Sequence, residues 1–129
     1  MRSGFTLVEL IVVVIIIGIL ATLAMPMFRV TKERSLMNGA IADLRLIAAA
    51  EKIVRMESTT NTYSACPTTD DCNSLLHLAL TINSWNYTVA CTGGCGVGFT
   101  ATATRTQGPN ATETITLNNN DLLTVNFTP

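Results

Sequence analysis

Charge is scarce in this chain. Only 13% of its 129 residues are Asp, Glu, Lys or Arg, and the formal net charge is −1. No basic patch stands out, so charge does not favour nucleic acid as a resident ligand. Histidine occurs once, at His77. No acid or serine partner for it is recognisable, and it reads as a half-buried helix residue rather than a base. No nucleophile–base pair, metal cluster or phosphate-binding loop can be found, so the chain reads as a non-enzyme that needs no cofactor. Cysteine is missing from the first 65 residues; all four lie beyond, on the far side of a long apolar segment, which points to an oxidising compartment for that part.

The segment itself is defined by another absence. No charge occurs between Glu9 and Arg29, a span of 19 residues from Leu10 to Phe28. At about 1.5 Å per residue that is long enough to cross a bilayer as a helix. The β-branched run from Val12 to Ile17 is no obstacle there, because lipid forces every backbone group to be satisfied internally. Arg2 on one flank faces Arg29, Lys32 and Arg34 on the other. Those counts favour a cytoplasmic C-terminal side, but the cysteines argue the reverse, and a long domain can be translocated regardless of flanking charge.

One acid, Glu9, sits at the head of this run with no basic side chain near it. An ionised group at mid-membrane costs on the order of 3 kcal/mol, so such groups tend to be functional and paired. Three readings compete. A removable secretory signal would be cut after Thr22-Leu23-Ala24, but the acid is atypical and the helical pattern runs on. A plain single-pass anchor leaves Glu9 unexplained. Processing between Gly4 and Phe5 keeps the helix and creates an α-amine on Phe5. A neighbouring copy, shifted along its axis, then brings that amine to this Glu9.

Gly4-Phe5-Thr6-Leu7-Val8-Glu9-Leu10, followed by the apolar run, resembles the class III signal of type IV pilins and the related type II secretion pseudopilins. The likeness covers about the first 30 residues and is specific: a short leader ending in Gly, an aromatic, and an acid four residues later. It implies that a prepilin peptidase cuts after Gly4 and methylates Phe5, giving N-methylphenylalanine. It implies that Phe5, Thr6 and Glu9 serve assembly, Glu9 neutralising a neighbour's Phe5 amine. It further implies partners: other copies of the chain in a helical homopolymer, the inner-membrane pilus machinery, and the membrane before assembly. The filament then lies outside the cell, where adhesion, twitching motility or DNA uptake are the family's roles. Gly18 and Pro26 fall where the family weakens its helix. Gly costs about 1 kcal/mol of helix propensity relative to Ala, and Pro removes a backbone bond. Gly18 to Met25 therefore either extends in a filament or kinks gently in an intact helix.

Beyond Phe28 an apolar stripe of Leu36, Ala40, Leu44, Ile47, Ala50 and Val54, widened by Met37, Ile41 and Ala48, predicts that the helix continues. Asn38-Gly39 is a weak interruption. Arg29, Lys32, Glu33, Asp43, Arg45, Glu51, Lys52 and Arg55 lie mostly off the stripe, with Glu51 and Arg55 at pairing distance. A helix from Phe5 to about Glu57 would be roughly 80 Å long, its second half amphipathic. Only Phe5 and Phe28 are aromatic on it, which gives no argument for an electron-conducting filament.

The polar loop Ser58–Thr62 ends the helix. Asn73-Ser74 read as the cap of a short helix over Leu75–Leu80. Period-two patterns then predict hairpins: Asn86–Cys91 with Val97–Arg105 around Thr92-Gly93-Gly94, and Glu113–Asn118 with Leu122–Phe127 around Asn119-Asn120-Asp121. Gln107-Gly108-Pro109-Asn110 is the turn between them. Val97, Phe99, Ala101 and Ala103 would pack on the helix, and Thr100, Thr102 and Thr104 would face water. The fold class is α+β: a long N-terminal helix on about four antiparallel strands, the pilin fold. The divisions are 1–4 leader, 5–28 membrane or filament-core half, 29–57 amphipathic half and 58–129 globular head.

Cys66–Cys72 and Cys91–Cys95 are the local pairings, though four cysteines allow three connectivities. A four-thiolate zinc site does not suit spacings of C-x5-C and C-x3-C. Asp70-Asp71 with Asp121 offer a calcium set, but adjacent loop acids are more often simply solvated. Asn86-Tyr87-Thr88, Asn110-Ala111-Thr112 and Asn126-Phe127-Thr128 match a glycosylation sequon, and the Thr runs offer O-linked acceptors. A pseudopilin is the alternative to a pilin. The two cysteine pairs and the Thr-rich surface lean towards the pilin, and the intact Glu9 towards a major subunit. A membrane-anchored binding domain is the reading from another class.

Overall fold

The computed structural model describes residues 4–82, 84–108 and 111–126. Pro109 and Asn110 of the predicted turn, Phe127 of the last strand and parts of two sequons lie outside them. The chain divides into two compact units, residues 1–34 and 35–129. One helix, α1 (Leu7–Glu57), contributes to both.

In the first unit α1 starts at Leu7 because Thr6 caps it. The Thr6 hydroxyl accepts the Glu9 N–H at 3.2 Å, and the Glu9 carboxylate accepts the Thr6 N–H at 2.9 Å. That reciprocal capping box satisfies two donors the first turn would leave orphaned. The helix passes Gly18 and Pro26 without a break. Thr22 and Thr31 donate their hydroxyls to the carbonyls of Ile19 and Met27, so neither carries an unmet donor into apolar surroundings.

In the second unit the stripe of α1 lies on a sheet. Strands β1 (Trp85–Thr92), β2 (Gly98–Arg105), β3 (Thr114–Asn118) and β4 (Leu123–Asn126) form an antiparallel meander in that order. The architecture is α+β, as the periodicities predict. Alternation in β2 buries Phe99, Ala101 and Ala103 and leaves Thr100, Thr102 and Thr104 half-exposed. Ala40, Leu44, Ile47 and Ala48 of α1 join them in one core with Tyr87, Val89, Ile115 and Leu117. On the other face the register sets Thr88, Thr102, Thr116 and Thr124 in one row across all four strands.

The second helix, α2 (Thr69–Leu75), sits six residues earlier than predicted. The Thr68 hydroxyl accepts the Asp71 N–H and donates to the Asp71 carboxylate, so Thr68 and not Asn73 is the cap. Asn73 instead clasps the chain ahead, accepting from the Leu80 N–H and donating to its carbonyl. The helix therefore stops before Leu76–Leu80. His77 lies beyond α2, exposed and at φ 53°, so it is not a half-buried helix residue. Val97 also departs from expectation: it lies outside β2, 69% exposed, because the loop after Gly93 and Gly94, both at positive φ, turns it away from the core.

Cys66 is bonded to Cys72, and Cys91 to Cys95. The first bridge anchors the loop that lies along β1. Cys66 exchanges both backbone hydrogen bonds with Val89, and the Thr69 hydroxyl accepts the Tyr87 N–H. The outer backbone groups of β1 at Tyr87 and Val89 are thereby occupied.

Candidate assembly site

The first unit, in its described residues, presents a helix with exposed apolar side chains all round. Every large apolar side chain from Phe5 to Phe28 is between 48% and 80% exposed. In water this is the least favourable arrangement such residues can take, at roughly 25 cal/mol per Å² left hydrated. The helix is long and apolar enough to cross a membrane, and it lies near the N-terminus.

At its start, Phe5 is fully open to solvent, next to the capping box. Among the described residues Glu9 has no basic neighbour, but it does not lack a partner. One carboxylate oxygen, Oε2, takes both the backbone N–H and the hydroxyl of Thr6, at 2.9 and 2.8 Å. The structure thus joins Thr6 and Glu9, with Phe5 exposed beside Thr6 in the chain. Thr6 holds the carboxylate in one rotamer at the end of the helix. Gly18 and Pro26 stand apart from this group, further along α1.

The first 25 residues match the model of the prokaryotic N-terminal methylation motif. The type II secretion system core protein G of Pseudomonas aeruginosa is 39% identical over 57 residues, which is 44% of this chain and 40% of that protein. A fimbrial protein of Pseudomonas aeruginosa is 35% identical over 66 residues, 51% and 43% of the two chains. The core protein G of Vibrio cholerae is 41% identical over 69 residues, 54% and 44%. In its N-terminal segment the chain carries the methylation motif and is similar to fimbrial proteins and type II secretion core proteins. The matches span less than half the length of these relatives. No solved structure matches the chain.

Beyond the pilin-type segment, the polar chemistry of the second unit departs from the i, i+4 pattern. Glu51 does not pair with Arg55. It is fully buried, and its Oε2 accepts the Ser64 N–H at 2.9 Å. Burial pushes its carboxyl above the usual range, and the Ser64 hydrogen bond offsets only part of that rise. Arg55 turns to the loop beyond α1 instead. It stacks over the Tyr63 ring at 4.7 Å, donates to the Tyr63 hydroxyl at 2.7 Å, and reaches Asn61. Tyr63 in turn meets Phe99 edge-on at 4.9 Å. Position 51 falls at i+4 from Ile47 and i+7 from Leu44, so the stripe spacing alone marks it as inward-facing.

Asp43 accepts the Tyr87 hydroxyl at 2.6 Å across the helix–sheet contact. Burial, then the hydrogen bond and the negative charge of Asp43, raise the Tyr87 phenol far above its ordinary range. Of the three calcium candidates, Asp121 is ion-paired to Lys52 at 3.1 Å and Asp71 is bound to Thr68. Among the described residues no group of three His, Cys, Asp or Glu side chains gathers as a metal site.

Proposed function

We propose that this chain is a structural subunit, and a major one, of an extracellular type IV pilus. The observation that carries the reading is the uncovered apolar helix of the first unit, exposed along its whole length behind a capped acid. Such a helix is stable in lipid or in a bundle of its own kind, and a filament core supplies the second after the first. Cutting between Gly4 and Phe5 by a prepilin peptidase gives Phe5 a free amine, which methylation keeps cationic. Glu9, with Oε2 engaged by Thr6, offers its other oxygen to the Phe5 amine of a neighbouring copy. The charge is neutralised only when two copies meet in register, so the pair checks assembly. The subunit waits in the inner membrane and then enters the surface filament, where adhesion, motility or DNA uptake follow from the polymer.

The second unit supports the same picture. Along α1, Ala42, Leu46, Ala49, Ile53 and Met56 form another apolar line, away from the sheet and exposed. Its three- and four-residue spacing is that of a helix–helix seam.

A second reading, a type II secretion pseudopilin, is favoured by the relatives named core protein G. Two disulfides and a hydroxyl-rich sheet face support the pilus instead, as both suit a head exposed outside the cell. Electron microscopy of filaments sheared from cells, with mass spectrometry of their subunit, tests the proposal. The expected subunit begins at methylated Phe5. A subunit beginning at Met25, or recovered only as a soluble monomer, overturns it.

A further inference from the structure

A groove opens on the second unit between α1 and the start of β1, with Gly39, Ala40, Asp43, Ser84, Trp85 and Tyr87 in its walls. Asp43 is its only charged residue. The acid is half-buried, and Tyr87, itself buried, fixes one carboxylate oxygen through the 2.6 Å bond. Among the described residues Asp43 forms no ion pair, and no base stands three or four positions from it on α1. Gly39 keeps the wall low: a Cβ there would meet nothing within 4 Å. A partly desolvated carboxylate without a cation is unfavourable unless something supplies one.

The complementary feature is on the first unit. Arg29, Lys32 and Arg34 are all exposed within six residues, and among the described residues none forms a salt bridge or hydrogen bond through its side chain. They directly follow the apolar segment, where bases pair with lipid headgroup phosphates. A subunit leaving the bilayer gives up those phosphates.

We propose that the Asp43 groove receives a cationic side chain from the 29–34 segment of a second copy of this chain. The inference rests on the assembly reading and deepens it. The groove supplies the anion that replaces the headgroup phosphate, and Tyr87 holds it in place. A guanidinium or ammonium on a long stem reaches the carboxylate past the missing Gly39 side chain.

The test is charge reversal in cells that display wild-type filaments. Asp43→Lys sets like charges face to face and is expected to lower the yield of sheared filaments about ten-fold or more. Asp43→Asn, which keeps an acceptor for Tyr87, is expected to lower it less, with membrane levels and Phe5 processing unchanged in both. Adding Lys32→Glu, Arg34→Glu or Arg29→Glu to Asp43→Lys is expected to restore filaments in at least one combination. Wild-type yields from both single variants, or no recovery in any combination, overturn the proposal. If wild-type cells themselves show no filaments built from this chain, the assembly reading has failed, and that outcome is separate from the variants.

Discussion

At Glu51 one carboxylate oxygen accepts the Ser64 N–H, while the other is buried without a hydrogen-bond partner among the described residues. The raised carboxyl makes the ionised form the disfavoured one in the folded chain. Its contribution to stability is therefore complete below the ordinary value of 4.5 and is lost as pH rises through the raised folded value. Glu51→Gln keeps an acceptor for Ser64 and cannot ionise. Thermal melts of the detergent-solubilised chain should show the variant gaining stability relative to the native chain as pH rises from 4 to 8; parallel curves would count against a raised Glu51 carboxyl. Tyr87→Phe removes the hydroxyl that Asp43 holds. A hydrogen bond to a charged group is worth roughly 1.5–3 kcal/mol, and denaturant unfolding should show a loss of that order. The exposed Lys52–Asp121 pair is different in kind, and Lys52→Ala should lower the unfolding free energy by less than about 1 kcal/mol in the same measurement.

Among the elements, those built on a long period were readable from sequence and those built on a single side chain were not. The spacing from Leu36 to Val54 defined the buried side of α1, and the alternation from Phe99 to Thr104 defined both faces of β2, because each repeats one burial choice many times. The position of α2 turned on whether Thr68 or Asn73 caps it. Both are good caps, and only the fold shows Asn73 occupied with Leu80. Glu51 differs for a related reason: its spacing to Arg55 suits a local pair, but its place on the stripe buries it. Tyr63 took Arg55, and no sequence pattern places Tyr63 there. Thr68→Ala should cost about 1 kcal/mol, measured by urea unfolding, and should loosen the α2 segment in hydrogen exchange. Leu44→Ala, at the centre of the core, should cost about 2–5 kcal/mol.

For the whole molecule, Glu9 of the proposed site at Phe5, Thr6 and Glu9 stands out in the sequence because a lone acid beside an apolar run is conspicuous. The capping box was not anticipated. Its Thr6-x-x-Glu9 spacing is that of a capping box, but the same acid also suits a charge pair, and the spacing alone does not choose between them. Glu9→Ala should leave the subunit processed and membrane-bound yet unable to build filaments, read by microscopy of sheared material alongside the N-terminal mass of the membrane pool. Normal filaments from that variant would remove the charge-pairing step from the mechanism.

In the filament proposed above, the loop bonded along β1 has a bearing on how neighbouring heads meet. A polymer holds its subunits at very high local concentration, the condition under which open strands recruit one another. With Cys66 and Thr69 already seated on Val89 and Tyr87, β1 offers an approaching strand no hydrogen bonds at those positions. Strand addition on that side of the sheet is blocked at those positions by hydrogen bonds from a loop that the Cys66–Cys72 bridge closes. Reducing the Cys66–Cys72 bridge should then make the chain aggregate more readily, read by light scattering with and without reductant, even where the head itself stays folded.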